Sequence, residues 1–99
     1  MAKRVYLANK DLLFRSKLSA AVVAGGGEVV KDAAGCDLAV VDIEIPGAVD
    51  RIRGFVASGT PVLAYGSHVL VDLLRAARAA GAMAVPNSEV ERRLLALLG

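Results

Sequence analysis

Residues 1–99 have room for one small core and read as a single domain with no linker and no internal repeat. The composition is 56% hydrophobic but only 4% aromatic, so the core is built from Ala, Val, Leu and Ile, and an intrinsically disordered chain is excluded. The net charge of +2 comes from twelve basic and ten acidic residues scattered along the chain, with pairs at Lys3-Arg4 and Arg92-Arg93 but no long block, which gives nucleic acid little to hold.

No apolar run approaches the roughly 18 residues that a spanning helix needs, and the first residues lack the long apolar region of a secretory signal. A soluble cytoplasmic protein with no membrane partner is expected. Cys36 is the only cysteine and His68 the only histidine, so an internal disulfide and a cysteine-rich metal site are excluded, and a histidine-based metal site is not expected.

In chain order, residues 5–8 read as a first buried strand. Asn9, Lys10 and Asp11 follow, and any of these polar ends can begin the helix that runs to about residue 24. Phe14, Leu18, Ala21 and Val22 share one face of that helix, with Arg15, Ser16 and Ser19 toward the other side. Gly25-Gly26-Gly27 stops it; these glycines follow a helix rather than a strand, which is the wrong order for a phosphate loop. Residues 28–30 form a short second strand.

Only residues 31–36 separate that strand from the next, whereas a parallel crossover usually takes a dozen or more residues and a helix. Six extended residues reach about 20 Å, just enough to recross a short strand. Either the crossover helix is lost, or residues 28–30 do not pair in the usual way at the sheet edge.

Leu38-Ala39-Val40-Val41 is an apolar run bounded by carboxylates, as expected of a strand buried on both faces of a parallel sheet. Asp42 ends it, at the strand end where open α/β sheets place their ligand or reaction site. A helix over residues 48–58 carries Val49, Ile52, Phe55 and Val56 as its apolar stripe. Residues 61–65 give a fourth strand. Gly66-Ser67-His68 then makes a turn with Ser67 as helix cap, and a helix runs to about residue 80, with Leu70, Leu73, Leu74 and Ala77 inward and Asp72, Arg75 and Arg78 outward. Residues 83–85 form a last strand. Ser88 and Glu91 have the spacing of a capping box that opens a final helix burying Val90, Leu94, Leu97 and Leu98. Strands alternating with helices in this way imply a flavodoxin-like α/β fold, a doubly wound parallel sheet of five strands in the order 2-1-3-4-5 with right-handed crossovers.

The stretch D-L-A-V-V-D-I-E-I-P-G, residues 37–47, resembles the central strand and following loop of bacterial response-regulator receiver domains of the chemotaxis-regulator kind. The resemblance extends through the whole chain and places Asp42 at the phospho-acceptor position. It implies a two-component signalling role and, in the family, an acidic pair that joins the acceptor in holding magnesium, a hydroxyl residue ending the fourth strand and a lysine on the fifth. Here Asn9 and Lys10 fall at the acidic pair, Asp11 at a third acidic position beside it, and Gly66 at the hydroxyl position with Ser67 next. The lysine position falls on Val85 or Ser88, and no lysine occurs after Lys31.

The expectation is therefore a degenerate receiver-like domain that acts by binding a protein partner, is not an enzyme, and uses no cofactor and no metal. Asp42 is the acceptor-equivalent residue, and Asn9, Lys10, Asp11, Gly66, Ser67 and His68 line the degenerate pocket. Lys10 is expected to converge on Asp42 and supply the charge that the metal supplies elsewhere. Phosphorylation of Asp42, weak nucleic-acid binding through Arg75 and Arg78, and a small hydrolytic or ligand-binding set of Asp42, Ser67 and His68 are the alternatives. Leu95, Ala96 and Val71 lie off the buried stripes and suggest a homodimer.

Overall fold

The computed structural model describes residues 2–99. Five strands form one parallel sheet in the order β2-β1-β3-β4-β5, with β1 at Arg4–Ala8, β2 at Glu28–Val30, β3 at Leu38–Asp42, β4 at Val62–Gly66 and β5 at Met83–Pro86. Four helices connect or follow them: α1 at Leu12–Ala24, α2 at Ala48–Ala57, α3 at Val71–Ala79 and α4 at Asn87–Leu98. This is the expected architecture, with β4 and β5 each reaching one residue further. The proline at the end of β5 is tolerated because it closes an edge strand, where its missing N–H interrupts no ladder.

The period-2 geometry of each strand sends alternate side chains to opposite faces, and every residue of β3 and β4 is buried. On one face Val5, Leu7, Val40 and Leu63 pack under Leu18 and Val22 of α1 and Val90 and Leu94 of α4. On the other, a set of small residues including Ala39, Val41, Val62, Ala64 and Ala84 packs under Ile52 of α2 and Leu74 and Ala77 of α3. No helix among the described residues is long and apolar enough to cross a membrane.

Asp11 resolves the three-way choice at the start of α1, because its Oδ1 accepts from the amides of Leu13 (2.9 Å) and Phe14 (3.2 Å). At the other end Gly26 has φ +85°, and a Cβ on Gly25 would press into Leu98 of α4. The glycine triplet thus supplies both a left-handed turn and a close helix approach.

The crossover helix is absent. Residues 31–37 run directly from β2 to β3, and β2 still pairs parallel to β1 with Arg4 opposite Glu28 and Tyr6 opposite Val30, so the alternative of irregular edge pairing does not hold. Local hydrogen bonds replace the helix. Asp32 Oδ1 accepts from the Ala34 amide (2.9 Å), Asp37 Oδ2 accepts from the Arg4 amide (2.8 Å), and the Arg4 guanidinium donates to the Gly35 carbonyl (3.1 Å). Cys36 tucks into the core as a small apolar residue, and burial pushes its thiol above the ordinary range.

Several local expectations are corrected. Ser67 does not cap α3: its Oγ accepts from the Val69 amide at 3.4 Å and its carbonyl from Leu70, so residues 67–70 spend their polar groups on a turn and the helix begins at Val71. Within α3 Leu73 is exposed while Leu74 and Ala77 are buried. Helix α4 starts at Asn87 directly after Pro86 with no side-chain cap, and Glu91 pairs with Lys17 (3.5 Å), so the Ser88–Glu91 capping box is not formed. On α2, Ala48 and Ile52 are the buried residues, whereas Val49 is half-buried and Val56 exposed. Leu97 and Leu98 are likewise only half-buried. Two arginines turn back rather than outward: Arg15 donates to the Leu7 carbonyl (2.9 Å) and Arg78 to the Ala84 carbonyl (2.8 Å).

Candidate functional site

The carboxyl ends of β1, β3 and β4 meet at Asp42, the one buried charged residue among those described. The strand brings it there because Leu38 to Val41 are held on both faces, and the chain turns sharply once the apolar run ends. Asp42 Oδ1 accepts from the Glu44 amide at 2.9 Å, the bond of an Asx turn, and the Ile45 amide donates back to the Asp42 carbonyl at 3.3 Å. Gly47, at φ +68°, then lets the chain enter α2.

A small cavity of about 90 Å³ opens beside Asp42, lined by Lys10, Asp11, Phe14, Glu44, Tyr65 and Asn87. Lys10 and Asp42 therefore share a pocket, yet they are not paired. The Lys10 ammonium lies 3.9 Å from Glu44 Oε1, and both of these side chains are largely exposed. An ammonium that pairs with an exposed carboxylate keeps most of its hydration, which it would lose against buried Asp42. Asp11 lines the same pocket, with one carboxylate oxygen occupied by the cap of α1.

Tyr65 was not foreseen as part of this site. It stands opposite Asp42 in the β3–β4 register, is buried, and stacks on Phe14 with ring centroids 5.0 Å apart and planes at 11°. Its hydroxyl and the Asn9 Nδ2 are both buried without a hydrogen-bond partner among the described residues. Burial pushes the Tyr65 phenol far above its usual range; the neighbouring Asn9 side chain opposes that shift, and the Asp42 charge adds to it. Asn9 Oδ1 accepts from Arg15 (3.4 Å), which fixes the amide so that its Nδ2 faces inward. The strand-end position of Tyr65, beside the strand that ends in Asp42, was the available signal. The stacking on Phe14 had none.

The remaining expected residues lie apart from the pocket. A Cβ on Gly66 would fall within contact distance of the Ile43 Cδ1 and Cγ1 atoms, so Ile43 fills the room that a hydroxyl side chain there would need. His68 is exposed and makes no hydrogen bond or ion pair among the described residues, and the Ser67 hydroxyl bonds only to Val69. Asp42, Ser67 and His68 thus lack the nucleophile–base–carboxylate chain that hydrolysis needs. Among the described residues no three His, Cys, Asp or Glu side chains are grouped to hold a metal ion. Chemically, the pocket presents one buried carboxylate, Asp42, with the charged groups of Lys10, Asp11 and Glu44 on its walls, a set that can hold water or a small polar molecule.

No protein-family model matches the chain, and no curated protein matches it. Solved structures do. NtrX from Brucella abortus is 15% identical at a TM-score of 0.81, matching 98% of this chain and 26% of NtrX, so the chain spans about a quarter of that protein. CheY4, a chemotaxis response regulator of Vibrio cholerae, is 15% identical at a TM-score of 0.76 over 100% of both chains. The beryllofluoride-activated NtrC4 receiver domain dimer is 16% identical at a TM-score of 0.71, covering 97% of this chain and 98% of that one. The chain has the flavodoxin-like fold of response-regulator receiver domains, without the helix between its second and third strands.

Proposed function

We propose that this chain is a receiver-like signalling domain that works by binding a protein partner and is not switched by phosphoryl transfer to Asp42. The observation that carries this reading is the set of donors around the carboxylate. Phosphoryl transfer needs positive charge to offset what builds up on the phosphoryl oxygens, supplied by a metal or by cationic side chains. Magnesium takes oxygen ligands in near-octahedral geometry, and the residues at the acidic-pair positions are an amide and an ammonium, Asn9 and Lys10. Asp11 has an oxygen committed to α1, Lys10 sits with Glu44, and Val85 or Ser88 stands where the resemblance implies a lysine. These residues do not fit a divalent cation.

One observation favours the second reading, a regulator phosphorylated on Asp42. Asn9 Nδ2 and the Tyr65 hydroxyl are buried without hydrogen-bond partners among the described residues, and Tyr65 stands opposite Asp42, which leaves these donors free for an added oxygen. Incubation with acetyl phosphate and magnesium, followed by intact mass measurement beside a conventional receiver domain, separates the two. No adduct is expected on this chain; a stoichiometric adduct lost in Asp42→Asn would establish the second reading.

Self-association is part of the same proposal. Val71 is 52% exposed and Leu95 38%, on the helices flanking edge strand β5, and Ala96 is exposed as well. An uncovered apolar rim beside a sheet edge favours pairing. Light scattering across a concentration series is expected to show a dimer, and a monomer at millimolar concentration would remove this part of the reading.

A further inference from the structure

The short β2–β3 connection leaves a groove of about 400 Å³ on the α2 and α3 side of the sheet, at the far end from Asp42. Its walls are residues 33–35 of the connection and the outer side of α2. Arg51, Gly54 and Phe55 of α2 and Ser58 at its C-terminal cap line it at i, i+3, i+4 and i+7, so one continuous face of the helix and its cap looks into it over about 10 Å of helix axis. Beneath lie Tyr6, Val30 and Phe55, all only partly buried, with the Tyr6 and Phe55 rings 6.0 Å apart. This is the place where a doubly wound sheet ordinarily carries the crossover helix between its second and third strands.

We propose that this groove is the docking site for an amphipathic helix of a partner protein, with an acidic residue set to meet Arg51. The inference rests on the protein-binding reading above and names its surface. Charge selects the partner's sign. Arg51 is the only charged residue lining the groove, and it has no carboxylate partner among the described residues, donating only to the Tyr6 hydroxyl at 3.0 Å. The neighbouring carboxylates are committed: Glu28 to Arg4, Asp50 to Arg53, and Asp32 and Asp37 to backbone amides.

Geometry selects the partner's shape. Adding a strand to β2 is disfavoured as an alternative, because that edge is three residues long. A helix laid along α2 matches the groove's length and meets a helix face of low relief. Gly54 contributes to that low relief. It sits inside α2, where glycine costs helix stability, and a Cβ there would meet nothing within 4 Å, so the fold itself does not require it. Its absent side chain lets an incoming backbone approach closely.

The test uses the full chain and two fluorescein-labelled 16-residue helical peptides that share one Leu/Ala stripe and differ only in polar face, Glu in one and Lys in the other. Fluorescence anisotropy is expected to show the Glu peptide binding at least tenfold more tightly, with the preference narrowing as salt is raised. Arg51→Glu should reverse the preference. Gly54→Leu, which fills the groove from an open position, should weaken the Glu peptide at least tenfold without lowering the thermal midpoint. Equal affinity for both peptides, binding by neither, or binding untouched by both substitutions would overturn the proposal. So would a dimer, seen by sedimentation, that Gly54→Leu dissociates, because the occupant would then be a second copy of this chain. Phosphate uptake at Asp42 is read independently, so the two proposals can fail separately.

Discussion

Ile52→Ala is expected to lower the unfolding free energy by about 2–5 kcal/mol, the range for removing a large aliphatic side chain from a packed core. Ile52 is 0% exposed and is, with Ala48, one of the two buried residues of α2. The sheet face beneath it is built largely of small residues, among them Ala39 and Ala64, which have no spare atoms to move into the cavity. Incomplete collapse is what places a substitution near the top of that range. The missing crossover helix adds a further consequence, because α2 has no helical neighbour on its groove side. Urea unfolding should show the global loss, and native-state hydrogen exchange should show the amides of α2 losing more protection than those of α1 or α4. A loss below about 1 kcal/mol, the scale of an Ile→Val change, would mean that this face repacks freely.

Gly66→Thr should cost about 1–3 kcal/mol by overpacking, although it restores the hydroxyl that the receiver resemblance implies at this position. The backbone at Gly66 is ordinary extended strand, so the cost comes from space and not from φ. The new Cβ would run into the Ile43 side chain, which is 5% exposed and held between β3, β4 and α2. If Ile43 is the obstacle, Ile43→Ala and Gly66→Thr should be less damaging together than the sum of the two alone, with a coupling of about 0.5–3 kcal/mol in a four-member urea cycle. Strict additivity would show that Ile43 moves aside, and that the loss of the hydroxyl position is a matter of sequence only. The cycle thus asks whether Ile43 has physically closed the space at Gly66.

The fold was legible because its signals are local and strong. Residues 38–41 are apolar without interruption, which suits only a strand covered on both faces, and the helices announce themselves by apolar residues three and four apart. The missing crossover could be read from arithmetic alone, since residues 31–36 are too few for a helix and just enough to span a short strand. What stayed hidden at that point was the way Asp32 and Asp37 hold the connection by side-chain bonds to backbone amides. Helix starts were the weakest part. Ser67 has the chemistry of a cap but spends it on Val69, while Asp11 performs the capping at α1, and nothing local ranks one polar residue above another.

Around Asp42 the sequence supplied the carboxylate, the strand end that holds it, and the loss of the acidic pair at Asn9 and Lys10. The first two follow from residue type and from position along a strand, which neighbours in the chain fix, and the third is what the receiver resemblance implies. Tertiary structure decided everything that depends on which strand end lies beside which. It put Tyr65 across from Asp42 and under Phe14, sent Lys10 to Glu44, and pushed Ile43 into the space at Gly66. It also left α2 with a bare face above Tyr6. These contacts join residues far apart in sequence, and whether each forms turns on a few ångströms of packing and on competition for solvation that no spacing rule encodes.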